Sequence, residues 1–150
     1  MIRLSVPGTL RYRDVVLRVV ASACRLLRPQ RAAKQETSRE GEGADFDDKV
    51  VSAVGEAFNN VAIHAYRGRS AGAVELELDV ADDAVTIRIS DTGTSYDPTR
   101  TPTPVLDALP DSGMGLYIMR TCMDQVSYRP GSPPGEPNVL TMSKRYPARA

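Results

Sequence analysis

At 150 residues the chain is long enough to bury the core of one domain. Its hydrophobic share of 41% and charged share of 25% are those of an ordinary soluble globular protein, not of a disordered or membrane-embedded one. The 19 basic and 19 acidic residues cancel, and there is no tryptophan, so neither a basic face nor a base-stacking surface is expected and direct nucleic-acid binding is disfavoured.

The first eight residues carry no uninterrupted apolar stretch of the kind a secretory signal needs. Instead Ile2, Leu4 and Val6 alternate with Arg3 and Ser5, the period of a half-buried strand, which Pro7-Gly8 ends. From Leu10 to Leu27 apolar residues recur at helical spacing (Val15, Val16, Val19, Val20, Ala23, Leu26), and an amphipathic helix is expected. Arg18 and Arg25 interrupt this run, which is too short to span a bilayer, so a cytoplasmic chain without membrane association is expected. Residues 28–48 are charged, glycine-containing and aperiodic, the signature of a mobile loop. A second helix should run from Asp47 to Tyr66, capped by Asp45 or Asp47, with Val50, Val54, Ala57, Phe58 and Val61 as its core stripe.

The clearest strands follow. Val74, Leu76, Leu78 and Val80 alternate with acidic residues, and Val85, Ile87 and Ile89 alternate with Thr86 and Arg88. The short Ala81-Asp82-Asp83 link joins them as an antiparallel hairpin with one wet face. Thr92 to Ser112, with Pro98, Pro102, Pro104 and Pro110, is long for a connection inside a compact domain, a length at which lids and binding loops occur. A third helix is expected over Gly113–Met123, with Leu116, Met119, Cys122 and Met123 inward, then strands at Val126–Tyr128 and Val139–Lys144. Cys24 and Cys122 lie in helical apolar patterns without metal-ligand spacing and are expected as buried thiols. This order of elements suits an α+β two-layer sandwich, a mixed sheet with helices on one face.

Three constellations carry chemistry. Glu56, Asn60 and His64 stand at steps of four, each about 40° further round a helix, and so form one polar stripe opposite the core stripe. Asn is a poor helix former, and the pair Asn59-Asn60 in mid-helix suggests a function tolerated at a cost in stability. Next, Asp91 stands where a strand opens into a loop, with Gly93 beside it. A carboxylate there can accept from a ligand amine while the glycine lets the ligand approach the backbone. Last, Gly113-Met114-Gly115 opens a helix, where unpaired N–H groups can cradle a phosphate. Each has a plain structural counterpart: a solvated helix face, a turn, an ordinary helix start.

Together and in this order, the three resemble the N, G1 and G2 boxes of the ATPase superfamily that includes gyrase and the histidine kinases. The likeness is sharper to the anti-sigma-factor serine kinases of bacterial sporulation and stress pathways. It is carried by Val51-Ser52 through His64-Ala65-Tyr66, by Asp91-Thr92-Gly93-Thr94-Ser95-Tyr96-Asp97, and by Gly113-Met114-Gly115-Leu116-Tyr117-Ile118-Met119 with Met123-Asp124. It runs from about Ile2 to Tyr146, leaving the 28–48 segment unsupported.

The resemblance implies a single histidine kinase-like ATPase domain over 1–150, with ATP and Mg²⁺ as its cofactors. Asn60 would offer Mg²⁺ a neutral oxygen, and Glu56 would orient and deprotonate an attacking hydroxyl. Asp91 would accept from the adenine amino group, where guanine presents a repelled carbonyl. His64, Gly93, Gly113, Met114, Gly115 and Leu116 would complete the nucleotide site, Thr141 would offer a second adenine contact, and 94–112 would be the lid. The implied partners are a STAS-type anti-anti-sigma protein, phosphorylated on serine or threonine, and a sigma factor, with a homodimer also suggested. Two departures stand out: Asp111 is acidic where some relatives carry a basic residue, and Ser95 occupies a position that is glycine in the wider superfamily. The alternative is a non-catalytic, nucleotide-regulated module that sequesters a partner. A fragment of a sensor kinase is disfavoured, because the sole histidine, His64, belongs to the polar stripe.

Overall fold

The computed structural model describes residues 1–27, 40–100, 114–132 and 135–147, and the side chains of 27 and 40–44 lie outside that description. Alternation along the chain becomes five strands: β1 (Ile2–Pro7), β2 (Ala73–Val80), β3 (Ala84–Asp91), β4 (Gln125–Arg129) and β5 (Asn138–Arg145). In β2 and β3 every second residue is buried, Val74, Leu76 and Leu78 on one strand and Val85, Ile87 and Ile89 on the next. Tight pairing from Val74↔Asp91 to Val80↔Val85 makes the expected hairpin.

The sheet order is β1-β2-β3-β5-β4. All of its pairings are antiparallel, where a mixed sheet was expected. The reason lies in the connections. Two helices among the described residues lie between β1 and β2, and the chain returns to the end it left, so that β2 runs back beside β1. The single-helix crossover from β3 to β4 does give two strands of like direction, but β5 inserts between them and pairs antiparallel with both.

A 3-10 turn at Leu10–Tyr12 precedes α1 (Arg13–Leu27). The next helix, α2 (Glu40–Asn60), begins well before the expected Asp47. Residues 40–48 are therefore helical, correcting the loop expected over 28–48, of which 28–39 lie outside the described residues. Tertiary packing overrides the weak local pattern here. Phe46 is buried, its ring stacks on Tyr146 at 4.7 Å, and Lys144 lies over it at 5.6 Å. Asp45 and Lys49 add a bridge of 2.9 Å one turn apart. α2 ends in a π-helical turn, Val61–Ala65, and α3 (Gly115–Cys122) completes the layer.

The helices α1, α2 and α3 cover one face of the sheet, with α2 packed between α1 and α3. Val50, Val54, Ala57, Phe58 and Val61 are all buried, as their spacing predicts. Phe58, Ile87, Ile89, Met119 and Met142 are the largest fully enclosed side chains, each contributing about 1.5–3 kcal/mol by burial. Cys24 is buried and Cys122 half-buried, and neither is in a disulfide. Among the described residues no helix is long and apolar enough to cross a membrane.

Candidate active site

A narrow cleft opens between the end of α2 and the β3–β5 part of the sheet, with a cavity volume of about 20 Å³. That is little more than the room of one water molecule, so a larger ligand has to widen the cleft to enter it. Ala57, Val61, Ile89 and Leu140 give it apolar walls, and Asn60, Asp91 and Thr94 bring polar side chains to it. Tyr96, Pro98 and Tyr128 form its remaining side.

Asp91 is 7% exposed at the C-terminal end of β3. Its Oδ1 accepts from the Gly93 N–H at 2.9 Å and from Asn138 Nδ2 at 3.0 Å. Asn138, 3% exposed at the start of β5, is its cross-strand partner in register. The Asn138 amide also donates to the Gly93 carbonyl at 3.0 Å, and its Oδ1 accepts from Ser95 Oγ at 2.7 Å and Gly131 N at 2.9 Å. Both protons and both lone pairs of this buried amide are used, and its orientation is forced, since reversal would set oxygen against carboxylate.

The π turn shapes the other wall. Such turns insert one residue's worth of extra winding and recur at functional sites. Here the turn presents the Ala65 carbonyl, which accepts from the Thr94 N–H at 2.8 Å. Gly93 sits so close that a Cβ would collide with that same carbonyl. Tyr66 secures the assembly: its hydroxyl donates to Ala73 O at 2.8 Å and accepts from Thr92 N at 3.2 Å. His64 does not line the cleft but stacks on Tyr96, which does, with centroids 4.0 Å apart. Burial, reinforced by nearby Arg67, holds the His64 imidazole below its ordinary pKa. Burial likewise pushes the Tyr128 phenol up, against opposing hydrogen bonds from Ser95 and Tyr96; its oxygen accepts from Tyr96 N at 3.1 Å.

At the α3 end of the cleft, Asn60 meets the glycine that opens α3. A Cβ on Gly115 would lie 3.2 Å from Glu56 Oε2 and 3.8 Å from the Asn60 amide. The stripe thus divides: Glu56 and Asn60 face the start of α3, and His64 turns to the rim. Asn59, beside Asn60, has a structural task, accepting from Arg13 Nε at 2.9 Å. Met114 is half-buried at the first turn of α3, and Leu116 is buried in the core rather than exposed to the cleft. Gly113 and Asp111 lie outside the described residues, as does the expected lid beyond Arg100. From Thr94 to Arg100 that segment is a pinned rim, closed by the Asp97 carboxylate accepting from Thr99 N at 2.8 Å.

Thr141 is on the wrong face for the adenine contact expected of it. It pairs across the sheet with Arg88 and Ser127 and lines a groove on the helix-free face. Leu140 and Met142 are the inward residues of β5, so period-two alternation puts Thr141 outside and Asn138 inside. That alternation was the signal by which Asn138 could have been found.

The histidine kinase-like ATPase domain matches residues 16–144 of the chain. The serine-protein kinase RsbW of Bacillus velezensis is 33% identical over 103 residues, 63% of this chain and 64% of that protein. RsbW of Bacillus subtilis is 34% identical over 97 residues, 59% of this chain and 61% of the relative. An anti-sigma F factor of Clostridium beijerinckii is 35% identical over 106 residues, 68% of this chain and 73% of the relative. The chain thus spans less than two thirds of the length of these RsbW proteins.

Proposed function

The chain belongs to the histidine kinase-like ATPase family, on the branch of the anti-sigma-factor serine kinases, and from that premise we propose that it is an ATP-dependent protein serine kinase. Its substrate would be a small anti-anti-sigma protein, and the same molecule would hold a sigma factor in competition with that antagonist. The observation that carries this reading is a buried carboxylate, Asp91, lining an apolar cleft that also contains Asn60, next to a helix-opening glycine against Glu56. An acceptor at the base edge with apolar walls fits adenine and disfavours guanine.

The donor set also fits Mg²⁺. Among the described residues no three His, Cys, Asp or Glu side chains converge to hold a metal. A single neutral oxygen from Asn60, completed by phosphate and water, suits an ion that keeps most of its ligands from solvent and nucleotide. Mg²⁺ would neutralise charge on the phosphates. Glu56 would take the proton of the substrate hydroxyl as its oxygen bonds to the γ-phosphorus and the bond to the ADP oxygen breaks. Gly93 and Gly115, together with Gly113 and Met114, would admit the nucleotide close to the backbone.

Titration with ATP·Mg²⁺ and GTP·Mg²⁺ by calorimetry tests the site. ATP-selective binding that disappears in Asp91→Asn is expected; unchanged affinity in that variant would sink the pocket assignment. Glu56→Ala should keep ATP binding and lose phosphorylation of the partner. The acidic Asp111, next to the Ser112-Gly113 segment, favours a second reading, a nucleotide-regulated sequestering module. ATP binding with no transfer to any partner serine would select it.

A further inference from the structure

We propose that Asn138 is the positioning residue that sets the preference of this cleft for adenine. The proposal rests on the nucleotide reading of the cleft above. Asp91 has two carboxylate oxygens, and which of them meets a base decides whether the site recognises an amino group well or poorly. Oδ1 takes the donors from Gly93 N and Asn138 Nδ2, and Oδ2 takes none among the described residues. The amide therefore saturates one oxygen and leaves the other as a lone acceptor at the cleft. A donor on the ligand is satisfied there, whereas a carbonyl is repelled.

Asn138 acts on more than the carboxylate. Through the Gly93 carbonyl and Ser95 Oγ it fixes the loop that leaves β3, and through Gly131 N it fixes the turn that leads into β5. The 91–95 segment and the turn at Gly131 thus converge on one side chain. Its near-complete burial means that no water substitutes readily for these bonds once the amide is gone.

Two substitutions separate hydrogen-bond donation from shape. Asn138→Asp keeps the outline of the side chain but turns an oxygen toward Asp91. Asn138→Ser is smaller and keeps a hydroxyl donor. Dissociation constants for ATP·Mg²⁺ and GTP·Mg²⁺ are measured by calorimetry, alongside thermal unfolding of each free protein. Loss of a charge-assisted bond predicts about tenfold weaker ATP binding for Asn138→Asp and a similar narrowing of the ATP/GTP ratio, with Asn138→Ser within about threefold of the parent. If Asn138→Asp does not fold, Asn138→Ala takes its place, removing the donor without adding charge, and an ATP/GTP ratio in Asn138→Ala equal to the parent's overturns the proposal. So does Asn138→Asp binding better than Asn138→Ser, which would make shape the requirement. ATP binding lost in Asp91→Asn but intact in both Asn138 variants overturns this inference alone; ATP binding intact in all three overturns the cleft assignment with it.

Discussion

Two glycines in the site look alike in the sequence and differ in what surrounds them. A methyl group on Gly93 meets the Ala65 carbonyl, a backbone atom already committed to Thr94 N. A methyl group on Gly115 meets the free end of the Glu56 side chain. Gly93→Ala should therefore lower stability by about 1–3 kcal/mol, the usual cost of overpacking, as read from the urea midpoint. Gly115→Ala should leave that midpoint within about 0.5 kcal/mol and instead depress phosphoryl transfer by displacing Glu56. His64 carries a pH signature of its own. Its folded pKa is lowered from the ordinary 6.5, so as pH falls below that value the unfolded chain takes up a proton that the folded one resists. The unfolded state then binds more protons, and stability declines on acidification from pH 7 to below 6. No other histidine titrates in this window, so the component removed by His64→Gln in a pH series of unfolding midpoints belongs to this residue. A His64→Gln protein with the same acid slope as the parent would refute the assignment.

At the scale of elements, the π turn is joined to the sheet through Tyr66, whose ring also fills the space above Gly8 and Gly72. Tyr66→Phe keeps the ring but strands the Ala73 carbonyl and the Thr92 N–H, and should cost about 1–3 kcal/mol with no change in denaturant slope. The strands were legible because each buries one face and leaves the other wet, which writes alternation into the sequence. The core stripe of α2 was legible for the same reason at helical period. Its first two turns were not, because Gly41, Gly43 and a run of acids hide a helix held by a distant aromatic, Tyr146. Asn60 was legible as a poor helix former in mid-helix, Glu56 by its step of four from Asn60, and Asp91 by its place where a strand opens into a loop, while the roles expected of them came from the family resemblance. Asn138 was passed over because Pro137-Asn138-Val139 reads as a turn; alternation with Leu140 and Met142 marks it as inward, but only the β3–β5 register names its partner, 47 positions away.

For the molecule as a whole, the antiparallel insertion of β5 between β3 and β4 is what makes a site possible. It brings Asn138 and Leu140 beside Asp91 and Ile89, while the crossover through α3 brings Gly115 back to Glu56 and Asn60. Nucleotide binding should therefore couple to global stability, since the ligand would bridge α2, the sheet and the start of α3 at once. A ligand at about one hundred times its dissociation constant stabilises by about 2.7 kcal/mol, which for a domain of this size is roughly 5–10 °C in melting temperature. ATP·Mg²⁺ should produce such a shift and GTP·Mg²⁺ a much smaller one. Chelating Mg²⁺ with EDTA should reduce the ATP shift in the parent protein, because phosphate charge is then uncompensated beside the carboxylates of the site. In Asn60→Ala the shift should be small and the same with or without EDTA. A parent protein whose ATP shift ignores EDTA would remove Asn60 from the role of metal ligand while leaving the adenine contact of Asp91 standing, since that contact involves the base and not the phosphates.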